Sequence, residues 1–413
     1  VKYPLVGGLD RPTFVHAIGC AALACVAFQV ALSGWAAAAE TGATQRASLP
    51  KIVARASNGH GLLCTMQGKV FLLVSGSPEQ MGAAHGQLLK QDVQQLMDRV
   101  LYTVGGATTL YSGQWFLDTM AEIERRTTPY TPDRFLRECD ALSEAAGVSK
   151  RDGRYGNFFP EQFHCSGIAV RGKATQGGRV LHARVLDYMR DIGIQNRAVV
   201  IVYMPEGYNA WISQSYSGFV GTVTCMNAKG LAIGEIGGEG QGKWDGMPMT
   251  FLLRELMERT ASVDEALDLM KKTPRTCKYH YVLSDKSGNL AAVVATPEKV
   301  ECLKAGEQHP MLPHIPDDTV LISAPGRAQH AVERIEKHYG KIGVPEMIEI
   351  IKRPVAMNSN LHDAIFAPET LDMWFADAGR RTVACDEPYA KCNLGELISF
   401  YEKASVGTRA AAK

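Results

Sequence analysis

His164-Cys165-Ser166-Gly167-Ile168-Ala169-Val170, followed after a glycine-containing turn by Arg179-Val180-Leu181-His182-Ala183-Arg184-Val185-Leu186-Asp187-Tyr188, is the stretch that decides the fold. Both segments have the aliphatic density and length of strands. They place a thiol at the start of one strand, facing a second strand that carries Arg184 and Asp187. The thiolate is the reactive form of cysteine, and a nearby guanidinium lowers a thiol's pKa. Were the chain cut between His164 and Cys165, the freed α-amine would titrate near ~7.7–8.0 and could serve as general base beside the nucleophile. The bland alternative is an inert buried thiol, with Arg184 and Asp187 a surface ion pair of little worth.

Working outward, the pattern ahead of Cys165 is mainly helical. Lys69–Val74 reads as a strand, and then Met81, Leu88, Leu89, Val93, Leu96 and Leu101 recur at helix spacing. Further helices are expected over residues 115–126 and 133–146, the latter ended by Gly147. Residues 150–163 hold glycine, asparagine, proline and charges, and read as an exposed linker to Cys165. Beyond Cys165, strands are expected at 166–171, 179–187, 198–204, 210–215, 220–226 and 230–235, with Asn227-Ala228-Lys229-Gly230 as a hairpin turn. Two helices follow, at 250–259 and from Ser262, where Ser262 and Glu265 form a capping box. Strands at 279–284 and 290–295, helices at 327–339 and 345–351, and strands at 364–367 and 372–376 complete the series. Runs of strands separated by pairs of helices predict an α+β fold with antiparallel sheets.

The first residues are of another kind. Phe14 to Ser33 is almost uncharged, follows Lys2 and Arg11, and precedes Ala36-Ala37-Ala38-Ala39. A positive start, an apolar core and an Ala-x-Ala site predict a signal peptide over 1–39 and an exported, periplasmic or extracellular, product. A membrane anchor is the rival, since the run nearly reaches the ~20 residues that span a bilayer. The expected divisions are thus 1–39 signal, 40–67 leader, 68–164 helical segment and 165–413 core. The formal net charge of +1 gives no reason to expect nucleic acid or an anionic surface as partner. Eight cysteines follow the signal. Cys385 and Cys392 are near enough for a local bridge. No Cys-x-x-Cys has a matching histidine pair, so neither metal nor cofactor is expected.

The order Cys-Ser-x-Ile-Ala, a short hairpin, then Arg-x-x-Asp resembles the N-terminal nucleophile (Ntn) hydrolases, a group that includes choloylglycine hydrolase and acid ceramidase. It is most similar to their isopenicillin N acyltransferase family. Gly76-Ser77-Pro78-Glu79-Gln80-Met81-Gly82-Ala83-Ala84-His85-Gly86 resembles the family's opening motif. Met226-Asn227-Ala228-Lys229-Gly230-Leu231-Ala232 resembles its Asn-x-x-Gly hairpin, and Asn360-Leu361-His362-Asp363-Ala364-Ile365-Phe366-Ala367-Pro368 its C-terminal strand. The resemblance covers roughly residues 68–400. It implies a four-layer αββα sandwich, and an autoproteolytic amidohydrolase or acyltransferase that acts through a Cys165 thioester with Arg184 and Asp187. It also implies a small amide or acyl substrate; cleaved fragments would stay associated, because the N-terminal helices are too apolar to leave. The family's oxyanion donor is often an asparagine in Asn-His-Phe, and here the matching strand ends Ile322-Ser323-Ala324-Pro325. Candidates for the donor are therefore the Gly237 and Gly238 backbone, Ser323 and Asn360. A glycine is common before the family's nucleophile, and His164 departs from that. Two alternatives stay open: an unprocessed thiol hydrolase, and a secreted binding protein that keeps the fold without the chemistry.

Overall fold

The computed structural model describes residues 49–158, 164–188, 190–238, 243–309 and 312–411. The expected signal peptide, with its cleavage near Ala39, lies outside them. In chain order the strands are β1 Lys51–Arg55, β2 Gly61–Met66, β3 Lys69–Gly76, β4 His164–Gly172, β5 Gly178–Asp187, β6 Ala198–Pro205, β7 Trp211–Tyr216 and β8 Thr224–Asn227. Then come β9 Leu231–Gly238, β10 Tyr279–Asp285, β11 Leu290–Ala295, β12 Val300–Lys304, β13 Thr319–Ile322, β14 Asn360–Ala367, β15 Asp372–Asp377 and β16 Ala390–Asn393. The helices are α1 Pro78–Leu88, α2 Lys90–Met97, α3 Gly105–Ser112, α4 Phe116–Thr127, α5 Asp133–Ala146 and α6 Lys150–Phe158. They continue as α7 Met249–Arg259, α8 Val263–Lys272, α9 Pro325–His338, α10 Val344–Ile351 and α11 Leu394–Ala411.

One sheet has ten strands in the order β1-β2-β3-β6-β7-β8-β9-β10-β11-β12, and the other six, β13-β4-β5-β14-β15-β16. Every named pairing is antiparallel except β3 with β6. The sheets stack through apolar side chains such as Phe71, Val202 and Ile212 from the first and Phe366, Met373 and Phe375 from the second. The Phe71 and Phe375 rings meet edge to face at 5.9 Å. Helices α9 and α10 cover the outer face of the six-stranded sheet, burying Ile335 and Ile350 against Ile168, Val185 and Leu321. Helices α1, α5 and α7 cover the other sheet, where Met81, Phe135 and Phe251 pack with Leu72 and Val74. The result is the αββα sandwich.

The segment ahead of Cys165 is less purely helical than its periodicity suggests. The stretch read as leader, 40–67, contains β1 and β2, and the helical segment 68–164 opens on β3. Outside-edge β1 alternates exposed and half-buried positions, so its sequence carries too little apolar density to announce a strand. The region 150–163, read as a linker, begins as α6, with Gly153, Tyr155, Asn157 and Phe158 buried. Its glycines serve packing: a Cβ on Gly153 would lie 1.9 Å from Ser143 Oγ, and one on Gly156 2.3 Å from Met97 Sδ. The Asn157 amide donates to Gly218 O and its carbonyl accepts from Val220 N, tying α6 to the core. Ser262 caps α8 as expected, but Glu265 reaches back to Ala261 N rather than closing the box on Ser262.

A buried ionic cluster fastens the same segment to the rest. Arg254 on α7 donates to Glu138 on α5 at 2.6 Å, to Glu258 at 2.8 Å and to Val220 O at 2.9 Å. Arg134 on α5 bridges Glu255 and Glu258. Arg254 lies among the Phe135, Tyr203 and Trp211 rings, which face its guanidinium.

Candidate active site

Cys165 is the second residue of β4 and only 3% exposed. The strand alternation of period two decides its surroundings. Cys165, Gly167 and Ala169 face the ten-stranded sheet, where a Cβ on Gly167 would lie 2.3 Å from Ile236 Cδ1. Their partners across β5 are Leu186, Arg184 and His182. Asp187 is an odd number of residues from Arg184, so it faces the helical layer instead. There it accepts from Arg327 Nη2 on α9 at 2.5 Å and from Met357 N at 2.9 Å. The bland alternative of an Arg184–Asp187 ion pair is therefore not met: Arg184 pairs with Glu235 and Asp187 with Arg327.

Arg184 is fully buried and donates to Glu235 on β9, to its carbonyl at 3.1 Å and its carboxylate at 3.4 Å. Its Nη1 has no hydrogen-bond partner among the described residues. A buried guanidinium nitrogen left unpaired is costly, and such atoms gather where a ligand or reacting group completes the set. Burial pushes the Cys165 thiol well above its ordinary pKa, while Arg184 and the Asp187 N–H pull it back. Burial also raises Glu235 to about 7, against the opposing pull of Arg184 and Gly237 N–H. Asp187 is raised by burial, with Arg327 opposing. A thiol shifted in this direction needs a base to become a nucleophile.

The remaining sequence candidates fall into different places. Ser323, just after β13, lies 2.6 Å from Ser166 Oγ, which accepts from Arg327 at 2.8 Å. A chain Ser323–Ser166–Arg327–Asp187 results. Gly237 N–H donates to Glu235 Oε1, and Gly238 pairs with Tyr279 in the sheet. The Asn360 amide donates to Asp363 Oδ1 at 2.9 Å and to Leu186 O at 3.2 Å, and its carbonyl accepts from Cys385 N. His164 pairs with Asp187 across β4 and β5, so the His164–Cys165 peptide lies within the strand. All eight described cysteines are free, including Cys385 and Cys392. Sequence reasoning missed Glu235 and Arg327. Glu235 is a lone carboxylate in the otherwise apolar run Leu231–Ile236, which is the signal it offered. Arg327 offered none, because its partners are 140 and 161 residues away.

Beside Leu186, the cross-strand partner of Cys165, opens a pocket of about 640 Å³ including its mouth. Leu96, Met97, Val100, Ile194, Phe219 and Val223 make its wall mostly apolar, with Tyr188, Tyr216 and Ser217 adding polar edges. Tyr216 is held from behind by His362, whose other nitrogen meets Thr224 Oγ1 at 2.9 Å. Burial, with Arg184 nearby, pushes the His362 imidazole well below its ordinary pKa.

Two stacked sheets between helical layers, with a cysteine heading an inner strand, define the fold of the N-terminal nucleophile hydrolases. Residues 175–315 match the family model of acyl-coenzyme A:6-aminopenicillanic acid acyl-transferase, so this part of the chain is similar to that family. That match contains Arg184, Asp187 and Glu235; Cys165 lies just before it and Arg327 just after. The chain is 27% identical to protein dcd1A of Dictyostelium discoideum over 315 residues, 66% of this chain and 71% of that one. It is 22% identical to the N-acylethanolamine-hydrolyzing acid amidase of Mus musculus over 194 residues, 44% of this chain and 52% of that one. Among solved structures, a Caenorhabditis elegans ortholog of that amidase aligns with 14% identity and a TM-score of 0.41, over 50% of this chain and 93% of the other. Penicillin V acylase from Agrobacterium tumefaciens aligns with 15% identity and a TM-score of 0.36, over 52% and 83%.

Proposed function

We propose that the chain is an exported amidohydrolase or acyltransferase that cleaves a linear amide through a Cys165 thioester. The unpaired Nη1 of Arg184, on the same face of the sheet as the thiol, is the observation that carries this reading. The thiolate attacks the amide carbonyl, and the π electrons move to oxygen to give a tetrahedral oxyanion. Arg184 is the donor offered to that charge, a role worth ~10²–10³ in rate for one donor elsewhere, whereas Ser323 is engaged with Ser166 on the opposite face. Collapse expels the amine, which takes a proton, and leaves the thioester. Water or a second amine then attacks the thioester and restores the thiol.

The base is the α-amine of Cys165, freed by cleavage after His164. It titrates near ~7.7–8.0 and is adjacent to the thiol by covalent necessity. Glu235 and Asp187 hold Arg184 and Arg327 in place on either side of β5. The acyl group occupies the apolar pocket beside Leu186, whose wall combines residues from before and after the cut. Intact mass spectrometry with an acylating thiol probe tests the reading. One adduct on Cys165, absent from Cys165→Ala, is expected. A folded chain that turns over an amide after Cys165→Ala would overturn it.

A further inference from the structure

We propose that the α3–α4 hairpin docks shallowly on a zwitterionic lipid surface, so that the pocket receives acyl amides carried in lipid; the substrate half of this rests on the function proposed above. Between Arg99 and Asp118 the chain has no charged side chain. The tip of this hairpin projects Leu110, Tyr111 and Trp115, exposed by 89%, 76% and 61%. Three of its hydroxyl side chains turn back on its own backbone. Thr108 Oγ1 donates to Val104 O, Ser112 Oγ donates to Thr108 O and accepts from Gln114 N, and Thr109 Oγ1 accepts from Phe116 N. The outward surface is uncharged and rich in aliphatic and aromatic side chains, with Gln114 its exposed amide, which suits the headgroup–acyl boundary, where aromatic rings concentrate.

The hairpin is also stiff. Phe116 packs on Gly105 so closely that a Cβ there would lie 2.4 Å from the ring. The helical turns leading into it carry Met97 and Val100, which line the pocket. An apolar tip held rigidly on the pocket wall presents the mouth to the surface on which the tip rests. With no lysine or arginine in the tip, attachment needs apolar burial rather than anionic lipid, so salt has little effect.

Phosphatidylcholine vesicles with brominated acyl chains, mixed with the full chain, provide the test. The signal of Trp115 is the difference between the native chain and Trp115→Phe, which removes the contribution of the other tryptophans. The expected result is a blue shift and quenching of Trp115 at low and high salt. Leu110→Glu with Tyr111→Glu should lower vesicle partitioning at least ~tenfold with an unchanged melting temperature. An unshifted, unquenched Trp115 overturns the proposal, even if the chain binds vesicles through its N-terminal apolar run. So does binding that requires phosphatidylserine and vanishes in salt. A dimer without lipid that the double substitution dissolves assigns the tip to a second copy instead. Should the double variant not fold, the Trp115 difference spectrum decides alone. Binding is read without turnover, so a chain that hydrolyses soluble amides but ignores vesicles loses the docking and keeps the function.

Discussion

Arg184→Met should destabilise the fold far more near pH 8 than near pH 5. Arg184 and Glu235 are both fully buried, and among the described residues Glu235 otherwise keeps only Gly237 N–H on its carboxylate. Removing one member of a buried ion pair costs about 3–5 kcal/mol, because the remaining charge is stranded. The stranding occurs only where Glu235 is ionised. Its folded pKa of about 7 lies above the ordinary 4.5. Its contribution to stability is therefore complete below 4.5 and is lost as pH rises through about 7. Without Arg184 the folded value rises further, and the loss deepens on the alkaline side. Near pH 5 the carboxyl carries its proton, and only neutral hydrogen bonds disappear, about 1–2 kcal/mol. Urea unfolding followed by fluorescence, at about pH 5 and about pH 8, should show an extra loss of about 2 kcal/mol at the higher pH. Adding Glu235→Gln should remove most of that difference. Equal losses at both pH values would show that Glu235 is not the charge Arg184 compensates.

Cys165→Ala should give a folded, inactive chain that runs as one band, whereas the native protein runs as two that meet at 164/165. An active native preparation with a single uncut chain would refute the cleavage while sparing the nucleophile. Gly234→Ala should lower kcat severalfold or more at a cost of about 1–3 kcal/mol in stability, because its Cβ would meet Arg184 Cγ at 2.6 Å. Kinetics alongside thermal melts check this, and an unchanged kcat would show that the position of Arg184 is immaterial. Val100→Trp, on the pocket wall, should shift preference toward shorter acyl groups in a competition assay, with the rate on the shortest amide little changed. Glu138→Leu leaves Arg254 short of one buried partner and should cost about 3–5 kcal/mol, read as a lower urea midpoint. A change below about 1 kcal/mol would mean that the cluster does not hold α5 to α7.

The β4–β5 hairpin was legible because its residues are local and aliphatic, and because the thiol interrupts them. The Asn227 turn was legible for a similar reason: its side chain accepts from Lys229 N and Leu231 N within the same loop. What the sequence hid was pairing across distance. Nothing near Arg184 names Glu235, 51 residues on, and nothing near Asp187 names Arg327. Spacing alone placed Arg184 and Asp187 together, and the pleat of the strand sends them to opposite faces. Glycine misled in another way. Gly153 and Gly156 look like punctuation, yet each sits where a larger residue would collide with a neighbouring side chain. Strand β1 escaped notice although its partner β2 is local, because its exposed and half-buried edge positions carry too little apolar density.

The parallel pairing of β3 with β6 has a consequence for biosynthesis. β3 is an interior strand, and it comes from the piece ahead of Cys165, while its neighbour comes from the piece after it. A cut at 164/165 would make the protein an obligate heterodimer whose two halves share one continuous ladder of backbone hydrogen bonds. Neither half can complete that ladder by itself, and each would carry a naked strand edge of the kind that recruits other chains into aggregates. Were the chain cut there, this topology would demand translation as a single polypeptide, with scission only after folding. Separately expressed halves should be insoluble, and dilution should not separate the two pieces of a chain cut at 164/165.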